Sequence, residues 1–187
     1  MKILCAMAGL SGVAYLLGSI NCAVLISRLF FGDDVRNHGS GNAGTTNMMR
    51  TFGYKAGFAT FLGDVLKGTL SVLIARWLAP VFGLEAVHAA SAAAIAAMLG
   101  HMYPVYFRFQ GGKGVATAFG AVAALHPLIL LVLILKVMPV FRTVLGSMGV
   151  TMTETGSVMM SVGTALGWVV LALVLVFVLA ALACSAG

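Results

Sequence analysis

The chain has little charge. Of its 187 residues only 9% are Asp, Glu, Lys or Arg, against 61% hydrophobic, where a soluble domain has roughly 25% charged residues. That scarcity excludes a protein whose main solvent is water. No soluble packing hides apolar runs this long and this frequent, so the bilayer must cover most of them. The mean hydropathy of +1.07 agrees. Acids are scarcer than bases, five against eleven, which leaves a net charge of +6. In a membrane protein such an excess concerns topology and anionic headgroups rather than nucleic acid, and no nucleic-acid motif accompanies it. Cysteine is also sparse: Cys5, Cys22 and Cys184 lie far apart in apolar sequence without C-x-x-C spacing, which argues against a disulfide framework or a zinc site. No H-x-x-x-H or H-E-x-x-H pair supplies other metal ligands, and nothing in the sequence calls for a metal or an organic cofactor. A cleavage site is missing as well. Lys2 precedes an apolar stretch that runs past Gly18 to Phe31 without an A-x-A-like signal, so this stretch is expected to span the membrane and stay. Asn21, not a small residue, precedes Cys22, which disfavours lipid attachment there.

Long apolar segments are what the chain does have. Those able to cross roughly 30 Å of hydrocarbon as helices run over residues 3–27, 55–79, 85–106, 115–138 and 157–183. The expected fold is an all-α integral membrane protein with five clear transmembrane helices. The number rises to as many as seven if short or re-entrant helices occupy the segments between, where irregular backbone is tolerated beside a protein cavity. Basic residues gather in two connections: Arg28, Arg36, Arg50 and Lys55 in the first, Arg108 and Lys113 in the second. Two crossings separate them, so both are expected on the cytoplasmic side, with the N-terminus and a short turn at residues 80–84 outside. The segment from Lys136 to Glu154 then also falls outside, against the preference of its own two cations.

The first connection, Asp34 to Arg50, holds Gly39, Gly41 and Gly44 among small hydroxyl and amide side chains. Glycine permits positive φ, so successive backbone N–H groups can converge on an anion, with Ser40, Asn42, Thr45, Thr46 and Asn47 adding neutral hydrogen bonds. Arg36 and Arg50 add charge and a bidentate fork for phosphate oxygens. A flexible linker is the plain alternative, but a linker needs no such density of Asn and Arg. The second connection, Arg108 to Thr117, places Gly111, Gly112, Lys113 and Gly114 where a helix begins, a position suited to anions. It is not a Walker A loop, which needs Gly at Phe107 and a hydroxyl at Gly114.

Within the second apolar segment, Asp64 and Lys67 stand three residues apart on one helix face and can pair. A charge at mid-span costs roughly 2.5–3.5 kcal/mol on insertion scales, so such residues face a protein interior or a cavity, for function or simply to fix helix packing. His101 near the end of the third span either hydrogen-bonds within a site or caps that end. His38 reads as a solvated loop residue, and His88 and His126 as packing or interface residues.

These residues resemble the PlsY-type acyltransferases, membrane enzymes that use acyl phosphate. The resemblance rests on Gly18-Ser19-Ile20, on Arg36 through Arg50 with its GSGNAGTTN core, on Asp64 with Lys67-Gly68, on Gly100-His101 with Pro104, and on Gly111 through Thr117, in the family's order and approximate spacing over about residues 10–127. It implies transfer of a fatty acyl group from acyl phosphate to the sn-1 hydroxyl of glycerol 3-phosphate, giving lysophosphatidic acid and phosphate, a step of phospholipid biosynthesis. It also implies a multi-pass protein of the bacterial inner membrane with its site facing the cytoplasm and membrane lipids as surroundings. On this reading Ser40, Asn42, Asn47, Arg50, Lys113 and His101 serve catalysis. Arg36, Gly39, Gly41, Gly44, Thr46, Gly111, Gly112 and Gly114 bind substrate phosphate, and Asp64 and Lys67 support the site.

Asn21 replaces the family's usual Pro, and Thr45 a commoner Ala. From about residue 136 the family's serine-glycine-serine motif and basic C-terminal end are not recognisable; Leu145-Gly146-Ser147 is the nearest approach, and no residue after Arg142 is basic. The stretch from Leu135 to Gly149, with Thr151 and the apolar tail, instead resembles type II secretion F-like inner-membrane proteins. One membrane domain, 1–187, is therefore expected to comprise an acyltransferase-like portion, 1–135, and an atypical one, 136–187. The tail raises an alternative: a catalytically impaired relative or a non-enzymatic membrane scaffold. An anion transporter fits poorly, because the chain is short and lacks repeated halves.

Overall fold

The structure is a computed structural model that describes residues 1–137 and, beyond them, residues 139, 140, 143, 147, 157, 161, 163–165, 167 and 168. Among the described residues there are helices and turns and no strand. The chain divides into two compact units, Met1–His126 and Pro127–Gly187. The first contains α1 (Lys2–Gly18), α2 (Cys22–Phe31), α3 (Thr45–Phe52), α4 (Tyr54–Leu78), α5 (Ala86–Met102) and α6 (Val115–Leu125). In the second, α7 (Pro127–Val132) runs into a wider π turn over Leu133–Val137. The span expected over 157–183 lies mostly outside the described residues, as do Arg142, Leu145 and Gly146.

Among the described residues, three helical stretches are long and apolar enough to cross a membrane: Lys2–Phe31, Tyr54–Phe82 and Ala86–Phe107. The first is not the continuous helix expected over 3–27. It breaks after Gly18, because Asn21 turns extended (φ −88°, ψ 102°) and its side chain accepts from Val24 N at 3.1 Å, capping α2. A side-chain acceptor that starts a new helix ends the old one. The expected span over 115–138 is likewise interrupted at His126 (φ −148°, ψ 83°), since the ring of Pro127 drives the preceding residue out of the α region. The turn expected at 80–84 is tight: Leu84 N donates to Ala79 O at 2.9 Å across Gly83.

Helix α4 is the centre of the first unit, packing against α1, α2, α3, α5 and α6. Hydrocarbon gives helices no hydrophobic reason to associate, so close backbone approach through small residues supplies the van der Waals contact. The buried positions are accordingly small: Ala14, Ala75 and Ala93 form one cluster, and Val72, Ala90, Ala94 and Ala121 another. Where α1 crosses α5, a Cβ on Gly18 would strike the backbone of Ala97, and one on Gly100 would strike Tyr15 O. The α4–α6 crossing repeats this with Gly68 against Thr117 O and Gly120 against Val65 O. Large side chains such as Leu66, Leu70, Trp77, Ile95 and Leu99 point outward.

Gly100→Ala should therefore lower the thermal midpoint in detergent, by the equivalent of about 1–3 kcal/mol of overpacking. Gly9→Ala, with nothing within 4 Å of the added methyl, should not. Equal midpoints for the two variants would refute the close α1–α5 crossing.

Candidate functional site

The first connection is built around one carboxylate. Asp34 accepts from Arg36 N at 3.0 Å, starting a short 3₁₀ turn over Val35–Asn37. It also takes Arg36 Nε and Nη2 at 3.0 and 2.7 Å, and Arg28 Nη2 at 2.8 Å. The Arg36 guanidinium, ahead of the backbone N–H and Arg28, holds the Asp34 carboxyl well below the usual carboxylate range, and Asp34 in turn raises the Arg36 guanidinium above its ordinary value. The other end of Arg36 reaches across 71 and 74 residues: Nη1 donates to Phe107 O and Gln110 O, both at 3.2 Å. The two cation-and-glycine connections are thus tied to one another.

Asn47, at the start of α3, is buried. Its amide donates to Val35 O and His38 O at 3.0 and 2.9 Å and accepts from Ser40 N at 3.0 Å. Gly39 has φ 57°, and a Cβ there would land on Asn47 Oδ1, so glycine is required both for the backbone and for the space. Gly44, which the sequence suggests for positive φ, is instead extended and opens α3. His38 is exposed and pairs with Asp33 at 2.6 Å, which lowers the Asp33 carboxyl.

The second connection folds back on the end of α5. Gly112 N donates to His101 O at 3.2 Å, and Phe109 N to Pro104 O at 2.9 Å. Arg108 and Phe109 sit in the left-handed region at φ 56° and 59°, a conformation costing roughly 1–2 kcal/mol per residue outside glycine. A Cβ on Gly111 would strike His101 O; one on Gly112 would strike His101 Nε2 and also Ala43 O of the first connection. Gly114 (φ 78°) then opens α6. The first N–H groups of α3 and α6 have no intrahelical acceptor and carry the positive end of each helix dipole.

Ser40, Thr46, Arg50 and Lys113 are exposed and Asn42 is half-buried. None of these five side chains bonds to another described residue, so their polar groups remain available. Arg36 and Asn47 differ from the sequence expectation in role. Both donors of the Asn47 amide and most of those of Arg36 are spent on backbone and on Asp34, which makes these residues braces of the two loops. Thr117 Oγ1, Thr45 Oγ1 and Asn21 Nδ2 are buried and have no partner among the described residues; the sequence gives Thr117 and Asn21 no site role, since a lone Thr or Asn beside apolar residues carries no signal of its own.

Beneath the second connection lies a buried charged cluster. Lys67 Nζ stands 2.9 Å from Asp64 Oδ1 as an ion pair, and donates to Ile20 O at 2.7 Å and to His101 Nδ1 at 2.9 Å. Asp64 Oδ1, which also lies 3.6 Å from His101 Nδ1, receives no well-aligned hydrogen bond from the described residues. The pairing expected from the three-residue spacing is present, and it involves the α1–α2 break and α5 as well.

Because the folded carboxyl of Asp34 is depressed, its contribution is complete above the ordinary value of 3.8 and drains away as pH falls below it. Asp34→Asn should loosen both connections at neutral pH by about 1–2 kcal/mol, the Arg28 part being partly screened by solvent. Hydrogen exchange would then quicken in residues 35–44 and 107–112 together. Unchanged exchange in 107–112 would show that Arg36 does not tie the loops.

Comparison with known proteins bears on this arrangement. A family model described as glycerol-3-phosphate acyltransferase matches residues 8–186, continuing through the tail in which the sequence motifs fade. A glycerol-3-phosphate acyltransferase of Clostridioides difficile is 48% identical over 119 residues, 64% of this chain and 58% of that protein. One of Pseudomonas aeruginosa is 55% identical over 115 residues, 62% and 58%. The chain thus spans under two thirds of the length of the curated relatives it matches. Among solved structures, PlsY, an integral membrane glycerol 3-phosphate acyltransferase, in its glycerol 3-phosphate form is similar with TM-score 0.62 and 43% identity over 73% of this chain and 66% of that one. Its lysophosphatidic acid form gives 0.59 and 39% over 72% and 64%. The chain, an all-helical membrane protein with two glycine-rich loops tied by Arg36, belongs to the glycerol-3-phosphate acyltransferase family.

Proposed function

We propose that this chain transfers a fatty acyl group from acyl phosphate to the sn-1 hydroxyl of glycerol 3-phosphate, at the cytoplasmic face of the bacterial inner membrane. The observation that carries the reading is the Arg36 tie. It joins two segments rich in glycine and cations, and beside them Ser40, Asn42, Arg50 and Lys113 keep their polar groups uncommitted. Both substrates carry phosphate, and the donor's acyl chain belongs in the lipid around the helices. Arg36 and Arg28 of the first connection both reach the second, at Phe107, and the shared excess of basic residues supports a common cytoplasmic side.

Acyl phosphate is a mixed anhydride with a good leaving group. The acceptor hydroxyl oxygen forms the new ester bond to the acyl carbon, the bond from that carbon to the phosphate oxygen breaks, and the hydroxyl proton passes to the departing phosphate. Inorganic phosphate and lysophosphatidic acid result. Alignment of two bound substrates supplies up to roughly 7–11 kcal/mol in favourable intramolecular cases, so a protein base is not required. Arg50, Lys113 and the opening amides of α3 and α6 neutralise the phosphates, Ser40, Asn42 and Thr46 orient them, and Arg36 and Asn47 hold the glycines in register. A second reading, an impaired relative or a scaffold, is favoured by the limited reach of the curated relatives, which align over 119 and 115 residues.

Purified protein given acyl phosphate and glycerol 3-phosphate should release inorganic phosphate only when both are present. Lys113→Met and Arg50→Met should each slow that release by roughly 10²–10³-fold. His38→Ala and His101→Gln should cost less than about a thousandfold; a greater loss at either would assign the proton to a protein base. Binding of glycerol 3-phosphate without turnover would favour the impaired relative, and no binding at all the scaffold.

A further inference from the structure

In the buried cluster under the glycine loop, His101 Nδ1 has two polar neighbours: Lys67 Nζ at 2.9 Å and Asp64 Oδ1 at 3.6 Å, the second beyond hydrogen-bond distance. A lysine ammonium has donors only. With Asp64 Oδ1 2.9 Å away, Lys67 is one half of an ion pair, and it meets His101 Nδ1 at 2.9 Å as a donor. A lone pair at Nδ1, with the hydrogen at Nε2, is the arrangement that lets the ring accept this bond. The same ammonium donates to Ile20 O at 2.7 Å, so three parts of the chain fix it: the break between α1 and α2, α4 itself and α5. Lys67 and His101 are both buried, at 6% and 3% exposure, so water does not compete for these bonds. On its far side the ring meets the glycine loop, because a methyl on Gly112 would lie against both Nε2 and Ala43 O. Nε2 thus faces the seam between the two loops.

We propose that Lys67 is a positioning residue that locks His101 as the Nε2–H tautomer, so that His101 offers a hydrogen-bond donor, and not a base, to a phosphate held at the Gly111–Gly114 loop. This deepens the phosphate-pocket reading of the two loops and rests on it. A ring nitrogen that already carries hydrogen cannot take the acceptor's proton, and Nδ1 is engaged by Lys67. A neutral donor can shorten its bond to a phosphate oxygen as charge develops on the leaving group, without adding a further cation to the pocket.

The tautomer can be read without any turnover. Full-length protein in lipid nanodiscs, labelled with ¹⁵N-histidine, contains four histidines, and the signal lost in His101→Gln identifies the one in question. The expected spectrum shows a protonated Nε2 and an unprotonated Nδ1, and Nε2 shifts as inorganic phosphate, the leaving group itself, is added. Because Lys67→Met alone strands the Asp64 charge, the informative variant is Asp64→Asn with Lys67→Met, which removes both charges together. In it the signal should average between tautomers, and kcat for acyl transfer should fall roughly tenfold to a hundredfold with KM for glycerol 3-phosphate changed less, the range for losing one charge-assisted hydrogen bond. His101→Gln, which keeps a donor, should retain more activity than His101→Phe by about tenfold.

A protonated Nδ1 in the wild-type signal overturns the proposal, as does a double variant that keeps both the tautomer and kcat. A correct tautomer whose Nε2 ignores inorganic phosphate overturns the donor role. If neither inorganic phosphate nor glycerol 3-phosphate binds in that sample, the phosphate-pocket reading itself has failed, which separates the two.

Discussion

One guanidinium bonds to both halves of the candidate site. Arg36 is pinned on one side by Asp34 and on the other by two backbone carbonyls of the second connection, and Phe107 adds to that span by packing against the cluster of Val35 and Ala43. Neutral carbonyl oxygens alone would bind an arginine weakly. The carboxylate orients the fork first, leaving the remaining N–H groups pointed at Phe107 and Gln110 with little freedom to lose. Asn47 does the corresponding work inside the first connection, where its one side chain replaces three backbone partners. Glycine is needed where these braces come closest, at Gly39 over Asn47 and at Gly112 over His101. The glycines are thus shaped by contact with polar side chains as much as by a demand for positive φ.

Several of these features were legible in the sequence, and each for a physical reason. The helical stretches around α1, α4 and α5 follow from apolar length alone, since a chain with so few charges has one available solvent. The pairing of Asp64 with Lys67 follows from three-residue spacing on a helix. The concentration of polar and glycine residues in two short connections points to them as the candidate site, and Arg36 does join the two. Roles within it were harder to read. An Arg beside glycines suggests a ligand for an anion, and only the path of the chain reveals that Arg36 spends its donors on Asp34 and the second connection. The break at Asn21 was obscured because the surrounding residues stay apolar, and the capping bond to Val24 N depends on a local backbone angle that hydropathy does not encode. The interruption at His126 did have a signal in Pro127, which an apolar window over 115–138 averages away.

The membrane changes what the buried cluster means. In water a lysine and an aspartate three residues apart stabilise a helix by a few tenths of a kcal/mol. Enclosed among α1, α4 and α5, the same pair is an alternative to stranding a charge in hydrocarbon, and breaking it is far costlier than its formation is favourable. Small residues at the helix crossings allow this enclosure by bringing the backbones within reach of one side chain. The packing of Gly18 and Gly100 and the bonding of Lys67 are in that sense one arrangement.

The helix break between α1 and α2 also bears on how the chain is assembled. Ile20 O, released from its ladder by the break, has Lys67 Nζ as its partner, and Lys67 arrives with a segment made later in the chain. Inserted by itself, the first hydrophobic stretch leaves a bare carbonyl in lipid, while α4 inserted by itself carries an ion pair with nothing around it. Each relieves the other's defect on docking. The discontinuity therefore gives the nascent protein an energetic reason to bring its first and second membrane segments together before the glycine loops above them can close.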